Sequence, residues 1–469
     1  MRKRKTFALL LLLTLSGCMR TAYHAENNRY QHAVEDWYCL EEKVDLPPHP
    51  LALEDLIQIG LQENLELQVY CQEIAIQHEI ATGEILKILP TLVANGEDSG
   101  RNRNTGSASQ SLTERPPAPP SISREQNRQT WDVTLEWNLL DFGISYYRSR
   151  QEANKTLVKY YEYERARQKL IFDISQQYWK AVMSRQAVVG AKEIIEKIEQ
   201  QQRKLTQNVE LRVISETTVI EREDNLVTLH RALMAFDRVH HQAMLELKRL
   251  AGLPPQQEFT LVEENLEPVE EKSFDLLELE QLALQNRPEL YTNDFQEKVS
   301  VEQVREAYIR MFPGVSFFWG GNYDADKFLL FHHWMQIGVR ATWDLLRLPS
   351  KWSEYRTSLK RNDLSELNRL ALSMAVIAQV NLAHLLYRED FHEFEILKEH
   401  DRVKGRRLEI AERRYETGLL GEEELVRYQG EALQVKAELL ARYANLQISL
   451  ERLNNAVGLP RYYLSGGVN

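Results

Sequence analysis

The sequence EWNLLDFG at residues 136–143 ends one residue pattern and begins another. Up to Trp137, apolar and polar residues alternate, which is the period of a β-strand with two different faces. After Leu140, apolar residues recur every three or four positions, which is the period of an amphipathic helix. The same switch occurs at TWDLLRLP, residues 342–349, which begins 206 positions later. The repeated junction indicates two copies of one strand-to-helix unit.

Other short matches show that this duplication covers most of the chain. LQENLEL at 61–67 matches LQNRPEL at 284–290 at an offset of 223, whereas AGLP at 251–254 matches VGLP at 457–460 at an offset of 206. The offset changes within the polar, proline-rich stretch RNRNTGSASQSLTERPPAPPSIS, a composition typical of a long exposed loop. A single insertion in the first copy therefore explains both offsets.

The predicted organisation follows from these repeats. Each copy begins with a helical segment, which Pro90 or Pro313 ends, and continues with two strands and a long helical hairpin. The predicted regions are a signal peptide (1–17), an N-terminal segment (18–50), a first repeat (51–260) with strands in 90–138 and a hairpin in 144–252, and a second repeat (261–469) with strands in 313–344 and a hairpin in 348–457. Between strand and helix, Asp141-Phe142-Gly143 predicts a flexible turn.

The second strand of each repeat has one apolar and one polar face. A half-exposed sheet in a water-soluble protein has the same period. Two features favour a lipid-facing sheet: charged residues lie on the polar face, as a watery lumen tolerates, and aromatic residues lie at strand ends, as in interfacial girdles. The predicted interface aromatics are Trp131, Trp137, Trp319 and Trp343. Because four strands cannot close a barrel and an open edge is not viable in lipid, the strands must be shared between subunits.

The hairpin helices have heptad spacing. Ile171, Ile174, Tyr178 and Ala181 form one such line, and Leu364, Leu367, Ala371, Met374 and Ala378 form another. The stretch 371–387 contains Gln379 and Asn381, so we predict a buried helix seam there and not a transmembrane helix. A soluble coiled-coil rod is the alternative, but it leaves the strand pairs unexplained.

The N-terminus has the features of an export signal. Arg2-Lys3-Arg4-Lys5 precedes an apolar run, and Leu15-Ser16-Gly17-Cys18 resembles the lipobox of bacterial lipoproteins, which makes Cys18 the lipid-modified first residue. An ordinary secretory signal is the alternative. Removal of residues 1–17 changes the net charge from −11 to −15, which disfavours nucleic-acid binding. Cys39 and Cys71 then remain, and whether they form a disulfide stays open.

Signatures of catalysis or metal binding are absent from the sequence. His240-His241 and His332-His333 are adjacent pairs whose side chains point apart on a helix or strand, and no Cys or carboxylate spacing completes a metal site. There is no glycine-rich phosphate loop, Gly-x-Ser-x-Gly motif or His-Glu-x-x-His motif. We therefore expect neither an enzyme nor a cofactor other than the lipid on Cys18.

With these features in order, the chain resembles the TolC-like outer membrane efflux proteins, in their lipoprotein form. The resemblance rests on the duplicated layout, on EWNLLDFG, on the GLP that ends each half, and on RYETGLLGEEELV at 414–426. It implies a mainly α fold with a membrane β portion: a homotrimer whose twelve-stranded β-barrel continues into a twelve-helix periplasmic α-barrel.

The resemblance also implies a location, partners and a function. Met19 after Cys18 favours the outer membrane, with outer-membrane lipid around the strands. The implied partners are a periplasmic adaptor (membrane fusion) protein and an inner-membrane pump. The chain would be the exit duct of a tripartite efflux pump or type I secretion system; the alternative is a non-conducting adhesion or envelope-bridging lipoprotein. The sequence identifies neither the cargo nor the particular adaptor and pump, nor whether the duct rests open or closed.

The same resemblance assigns the hairpin tips. In the second tip Gly418 matches the family pattern, and a glycine suits a left-handed turn. The first tip has Ser215 in place, but Arg212 stands where glycine is expected, which predicts a reshaped turn. Glu422, Glu423 and Glu424 offset a helix dipole or form a carboxylate ring at the pore, and Tyr415 and Arg427 complete the hypothetical gate.

Overall fold

A computed structural model describes residues 25–108, 112–113, 119–210 and 216–459 of the chain. The signal peptide, Cys18, Arg212 and Ser215 lie outside these residues. The helices are α1 (Ala25–Glu41), α2 (Leu53–Glu63), α3 (Leu65–Leu86), α4 (Leu139–Glu210), α5 (Glu216–Leu250), α6 (Leu276–Asn286), α7 (Pro288–Ile309), α8 (Leu348–Glu416) and α9 (Glu422–Val457). The strands are β1 (Thr91–Gly100), β2 (Gly106–Ser107), β3 (Ser121–Ile122), β4 (Asn127–Asn138), β5 (Gly314–Asp324) and β6 (His333–Thr342).

The element boundaries reproduce the duplication seen in the sequence. Helices α2 and α3 recur as α6 and α7, and both ends of each helix are displaced by the larger of the two sequence offsets. Helix α5 recurs as α9 with its start displaced by the smaller offset, which also separates the ends of α4 and α8 at Glu210 and Glu416. The structure thus confirms the internal repeat of a mainly α chain with a β portion. Over the loop between β1 and β4, the described residues add only the short β2–β3 pairing.

The chain divides into two compact units, and α4 and α8 contribute to both. The sheet unit comprises residues 69–166 and 280–379. Its antiparallel sheet has the order β1-β4-β5-β6, so β4 and β5 join the two repeats and β1 and β6 are the edges. In this register Leu135 lies opposite Leu92 on one side and Trp319 on the other.

Within the sheet unit, α7 packs against α4 and α8. Toward α4, Glu302 binds Arg150 at 3.0 Å and Tyr161 stacks on Tyr291 at 4.8 Å between ring centroids. Toward α8, the hydroxyls of Ser300 and Ser365 lie 2.9 Å apart. Val299 of α7 is fully buried. Helix α7 is therefore covered by the long helix of each repeat, α4 on one side and α8 on the other.

The helical unit comprises residues 25–68, 167–279 and 380–459. Ile174, Tyr178 and Ala181 are fully buried, so this heptad line is part of the core of the chain. Gly60 lets α2 approach α4 closely, because a Cβ there would lie 2.5 Å from the Ile174 side chain. Helix α1 is exposed along its described side chains. Cys39 and Cys71 are both free and exposed.

The predicted seam at 371–387 is present, since Val376, Val380, Ala383 and Tyr387 are buried along one side of α8, but the heptad line that begins at Leu364 lies on another, exposed side. Leu364, Leu367 and Met374 are 55%, 63% and 68% exposed, whereas Val376 and Val380 on another side of α8 are fully buried. Within the described residues, α8 is the one helix with an 18-residue stretch apolar enough to cross a membrane, and only 22% of that stretch is buried. Helix α8 thus has two apolar faces, and the chain itself covers only one.

The two GLP motifs share one capping geometry. The glycine of each motif, Gly252 or Gly458, has positive φ (70° and 78°) and follows α5 or α9. In each case the next leucine N–H bonds back five residues and the glycine N–H bonds back three, which is the Schellman arrangement. The repeated GLP is therefore a helix stop: glycine accepts the left-handed turn, and proline prevents continuation.

Candidate functional site: a two-faced sheet and a helical tip

The apolar face of the sheet is the more exposed one. On β4, Trp131, Val133, Leu135 and Trp137 are 61%, 49%, 37% and 41% exposed, while the polar residues between them are partly buried. Across the sheet the same face is continued by Phe317, Trp319, Ile337 and Val339, and Ile337 is 83% exposed. A sheet in a water-soluble protein buries this face. An exposed apolar face on four paired strands is the arrangement that lipid requires.

The opposite face is polar, although it is not uniformly so. Asp132, Glu136 and Arg340 lie on it, and Asn95 donates a hydrogen bond to Asp132 at 3.0 Å. The Arg340 guanidinium lies 5.3 Å from the ring centre of Phe318, a cation–π contact that places an aromatic ring among these charges. Charged groups on this face indicate contact with water.

Two glycines in the sheet make room for aromatic rings on opposite faces. A Cβ at Gly96 would lie 2.6 Å from the Trp131 ring, and one at Gly338 would lie 2.4 Å from the Phe318 ring. Each ring covers the backbone of the neighbouring strand, which compensates for the missing side chain. Neither contact has a signal in a single sequence, because each depends on strand register.

The strand-to-helix junctions are capped by side chains at equivalent positions of the two repeats. The Asn138 carboxamide oxygen accepts a hydrogen bond from the Leu140 N–H at 2.9 Å, and its counterpart Asp344 accepts one from the Arg347 N–H at 3.2 Å. The Asn138 acceptor caps α4, whereas the Asp344 acceptor closes a turn just before α8 begins at Leu348. The turn predicted at Asp141-Phe142-Gly143 is wrong: α4 already begins at Leu139, because Asn138 provides the cap.

The four predicted interface tryptophans all lie on this sheet or at its ends. Trp137 packs edge-on against Phe142 with ring centroids 5.7 Å apart, so it connects β4 to the first turn of α4. The Trp343 indole N–H donates to the Met311 carbonyl oxygen at 3.2 Å. Trp131 and Trp319 are 61% and 50% exposed. Rings with an apolar body and a satisfied polar edge suit a membrane interface.

The second hairpin tip lies between α8 and α9. Gly418 has φ 74°, and the Leu419 N–H donates to the Arg414 carbonyl oxygen at 2.8 Å, so the predicted left-handed glycine turn is present. Leu419 is 71% exposed and Leu420 is buried. Tyr415 precedes the turn and is 42% exposed. The first tip, which carries Arg212 and Ser215, falls outside the described residues.

The three glutamates form the first turn of α9. Glu422 forms an ion pair with Lys204 of α4, and hydrogen bonds from Lys204 and then Gln201 hold the pKa of the Glu422 carboxyl below its usual value. A lowered pKa means that this pairing is present at neutral pH and lost as pH falls through the folded-state pKa. Sequence alone did not indicate Lys204, because it lies 218 residues from Glu422.

Arg427 is engaged within its own helix. Its guanidinium binds Glu431 at 3.1 Å and lies 4.9 Å from the centre of the Tyr428 ring. Lys404 of α8 reaches the other oxygen of the Glu431 carboxylate at 3.0 Å. Within the chain, Glu431 therefore connects Arg427 to the second hairpin's other helix.

An apolar cluster holds the helices together near the tips. Its buried members include Ile198 of α4, Leu226 and Leu233 of α5, and Val426 of α9. Two glycines permit close helix approach: a Cβ at Gly430 would lie 2.3 Å from Leu229, and one at Gly190 would lie 2.8 Å from Leu433. The two hairpins of one chain are thus packed together over this region.

The histidine pairs show no metal-binding arrangement. Over the parts of the chain that the structure describes, no group of three or more His, Cys, Asp or Glu side chains could hold a metal ion. His240 contacts the Ala181 carbonyl oxygen at 3.0 Å, and burial lowers the pKa of its imidazole. His240 therefore acts as a neutral hydrogen-bonding group between α5 and α4.

Comparison with known proteins confirms the predicted resemblance. Residues 279–459 match the sequence profile of the family described as outer membrane efflux protein. None of the curated protein sequences compared with the chain matches it.

Several solved structures share the fold at low sequence identity. The Campylobacter jejuni outer membrane channel CmeC is 14% identical, with a TM-score of 0.70 over 87% of this chain and 85% of that one. The outer membrane protein VceC of Vibrio cholerae is 14% identical, with a TM-score of 0.67 over 87% and 96%. The open state of the Neisseria gonorrhoeae MtrE outer membrane channel is 15% identical, with a TM-score of 0.66 over 89% and 94%.

Proposed function

Because the chain is similar to outer membrane efflux proteins in sequence over its second repeat and in fold over most of its length, we propose that it is an exit duct. It passes small molecules or polypeptides from the periplasm to the exterior. It acts within a tripartite efflux pump or a type I secretion system. No residue of the duct carries out a reaction on the cargo, because the wall contacts it only in transit.

The exposed apolar face of the four-stranded sheet is the observation that carries this proposal. A face with Trp131, Val133 and Ile337 exposed needs lipid around it, and a face with Asp132, Glu136 and Arg340 needs water. A wall with lipid on one side and water on the other is what a pore requires. The sheet also has two open edges, which must pair with other strands to be stable in a membrane.

The assembly follows from these open edges. Three copies of the four strands close one twelve-stranded barrel, and the long helices of the three copies continue it as an α-barrel through the periplasm. Cys18 carries an N-terminal lipid that anchors each copy to the outer membrane. A periplasmic adaptor protein contacts the helical tips and connects the duct to an inner-membrane pump.

The tips form the gate of this duct. Tyr415 lies just before the second tip, and the three glutamates at 422–424 and Arg427 lie just after it. In the proposed trimer, three copies of this tip approach one axis. The Glu422–Lys204 pair holds the two hairpins of one chain together at neutral pH. Separation of the hairpins therefore requires this pair to open.

Planar-bilayer recordings of the purified lipidated protein test the function. A duct gives discrete conductance steps, and the Glu422→Gln variant, which weakens the contact with Lys204, raises the open fraction. The Glu399→Gln variant is the control, since Glu399 pairs with Arg402 on the same helix, three residues away. A protein that inserts but never conducts, even as Glu422→Gln, favours the envelope-bridging alternative.

A further inference from the structure

The two repeats place equivalent residues in different surroundings. Val299 of α7 is fully buried, whereas Ile76, the equivalent residue on α3 of the first repeat, is 59% exposed. Val158 of α4 is buried, whereas Leu364, the equivalent residue on α8 of the second repeat, is 55% exposed. The buried members contribute to the side of each helix that the chain covers. No described part of the chain covers Ile76 or Leu364 in the same way.

The missing cover has an identifiable origin. Helix α7 is covered by its own repeat's long helix, α8, and by the long helix of the preceding repeat, α4. Helix α3 contacts its own long helix in the same way, since Lys159 of α4 binds Glu73 at 2.9 Å. Within the described residues, no helix equivalent to α4 precedes α3. Among the described helices, α8 is the one that is equivalent to α4, and it has an uncovered side.

Charged residues make the correspondence specific. Within the chain, Arg150 of α4 pairs with Glu302 of α7 at 3.0 Å. The equivalent residues are Arg356 on α8 and Glu79 on α3, and both residue types are retained. Both side chains are exposed, and neither has an ion pair or hydrogen bond to the residues that the structure describes. Glu79 lies about one turn from Ile76 on α3, and Arg356 lies about two turns from Leu364 on the same side of α8.

We propose that α3 of one copy packs against α8 of a second copy as α7 packs against α4, with Arg356 paired to Glu79 of the partner subunit. The interface buries Ile76 of one copy beside Leu364 and Leu367 of the other. This inference rests on the oligomer proposed above, and it names the residues that form the helical contact between copies. Because α4 has Tyr161 where α8 has Leu367, the contact between copies lacks the stacked rings of its counterpart within the chain.

Charge reversal tests the pairing. The single variants Glu79→Arg and Arg356→Glu each place like charges in contact, so each raises the dissociated fraction of the detergent-solubilised oligomer about tenfold or more, measured by native mass spectrometry. The double variant Glu79→Arg with Arg356→Glu restores the wild-type fraction. Circular dichroism of each variant checks that the chain is still folded.

The matched control is Glu79→Arg with Arg361→Glu, which has the same net charge as the double variant. Arg361 lies five residues from Arg356, which turns it about 140° around α8, so it does not restore association. Equal restoration by both doubles, or no effect of either single variant, overturns the proposed interface.

Conductance separates this result from the function. If the wild type conducts but Glu79→Arg with Arg356→Glu fails to restore association, the proposed interface is wrong and the proposed duct function is unaffected. If the wild type never conducts but the same double variant restores association, the proposed interface is supported and the proposed duct function is wrong.

Discussion

At the scale of single residues, backbone geometry explains the short motifs better than side-chain chemistry does. Gly252, Gly418 and Gly458 have positive φ, where a residue with a Cβ is strained. Two of them belong to the repeated GLP, so that motif marks the ends of helices α5 and α9. The third lies in the second tip. These motifs therefore mark positions where the backbone takes a left-handed turn.

Replacement of Gly418 tests the tip turn. No atom lies within 4 Å of a Cβ built there, so Gly418→Ala is penalised only by its φ of 74°, at about 1 kcal/mol. Hydrogen exchange of amides 413–425, followed by mass spectrometry, is expected to become about five times faster. Gly405→Ala is the control, because Gly405 has equally open space, has no positive φ and lies within α8. Equal acceleration in both variants contradicts the strain argument.

At the scale of elements, β4 combines two environments in one strand. Its alternating pattern was visible in the sequence, but the pattern alone did not say which face is covered. The structure answers this, because the apolar residues are the exposed ones along the strand. Its neighbours in register extend the same face to all four strands of the sheet.

A lysine on either face of β4 distinguishes lipid from water. Val133→Lys places a charge on the apolar face near the middle of the strand and is expected to destabilise the folded barrel by about 2–4 kcal/mol. Thr134→Lys places the same charge one residue later on the polar face and is expected to change stability little. Urea unfolding in lipid vesicles measures both. Similar losses for the two variants would contradict a lipid-facing apolar side.

Elements also show where sequence reasoning failed. The buried seam within 371–387 is confirmed, but the heptad line through Leu364 and Met374 is exposed, because heptad spacing cannot tell whether the covering helix belongs to the same chain or to another. The turn predicted at Asp141-Phe142-Gly143 is absent because the Asn138 cap starts the helix before Gly143 is reached. In contrast, the duplication and the Gly418 turn were predicted correctly, since both depend on local residues. The pair of Glu422 with Lys204 could not be predicted in this way, because the two residues meet only through tertiary contacts.

At the scale of the whole molecule, the sheet has two edges, β1 and β6. The pairing of β4 with β5 joins the two repeats within the chain, and it gives a register for joining two chains. Val133 lies opposite Gly321. Displacement of these positions by the repeat offsets gives Val339 on β6 and Asp98 on β1. Those two residues should therefore lie opposite one another in neighbouring copies.

Cysteine cross-linking tests that register. In a protein with Cys39 and Cys71 replaced by serine, Val339→Cys with Asp98→Cys is expected to form disulfides between copies, because opposite residues have Cβ atoms about 4.5–5.5 Å apart. Val339→Cys with Glu97→Cys is the control, since Glu97 faces the other side of the sheet. Denaturing electrophoresis without reductant measures both. Equal linking in the two variants contradicts the register.

The two open edges have a kinetic consequence for the synthesis of this protein. The β4–β5 pairing closes within one chain, so its rate does not depend on concentration. In the proposed oligomer, closure of β1 onto β6 of another copy is a bimolecular reaction, and it slows as the chain becomes scarce. Until that encounter, each folded monomer presents unpaired backbone groups beside exposed apolar residues, a combination that promotes aggregation. In the proposed oligomer, low expression therefore lengthens the time that each copy spends as an unpaired monomer.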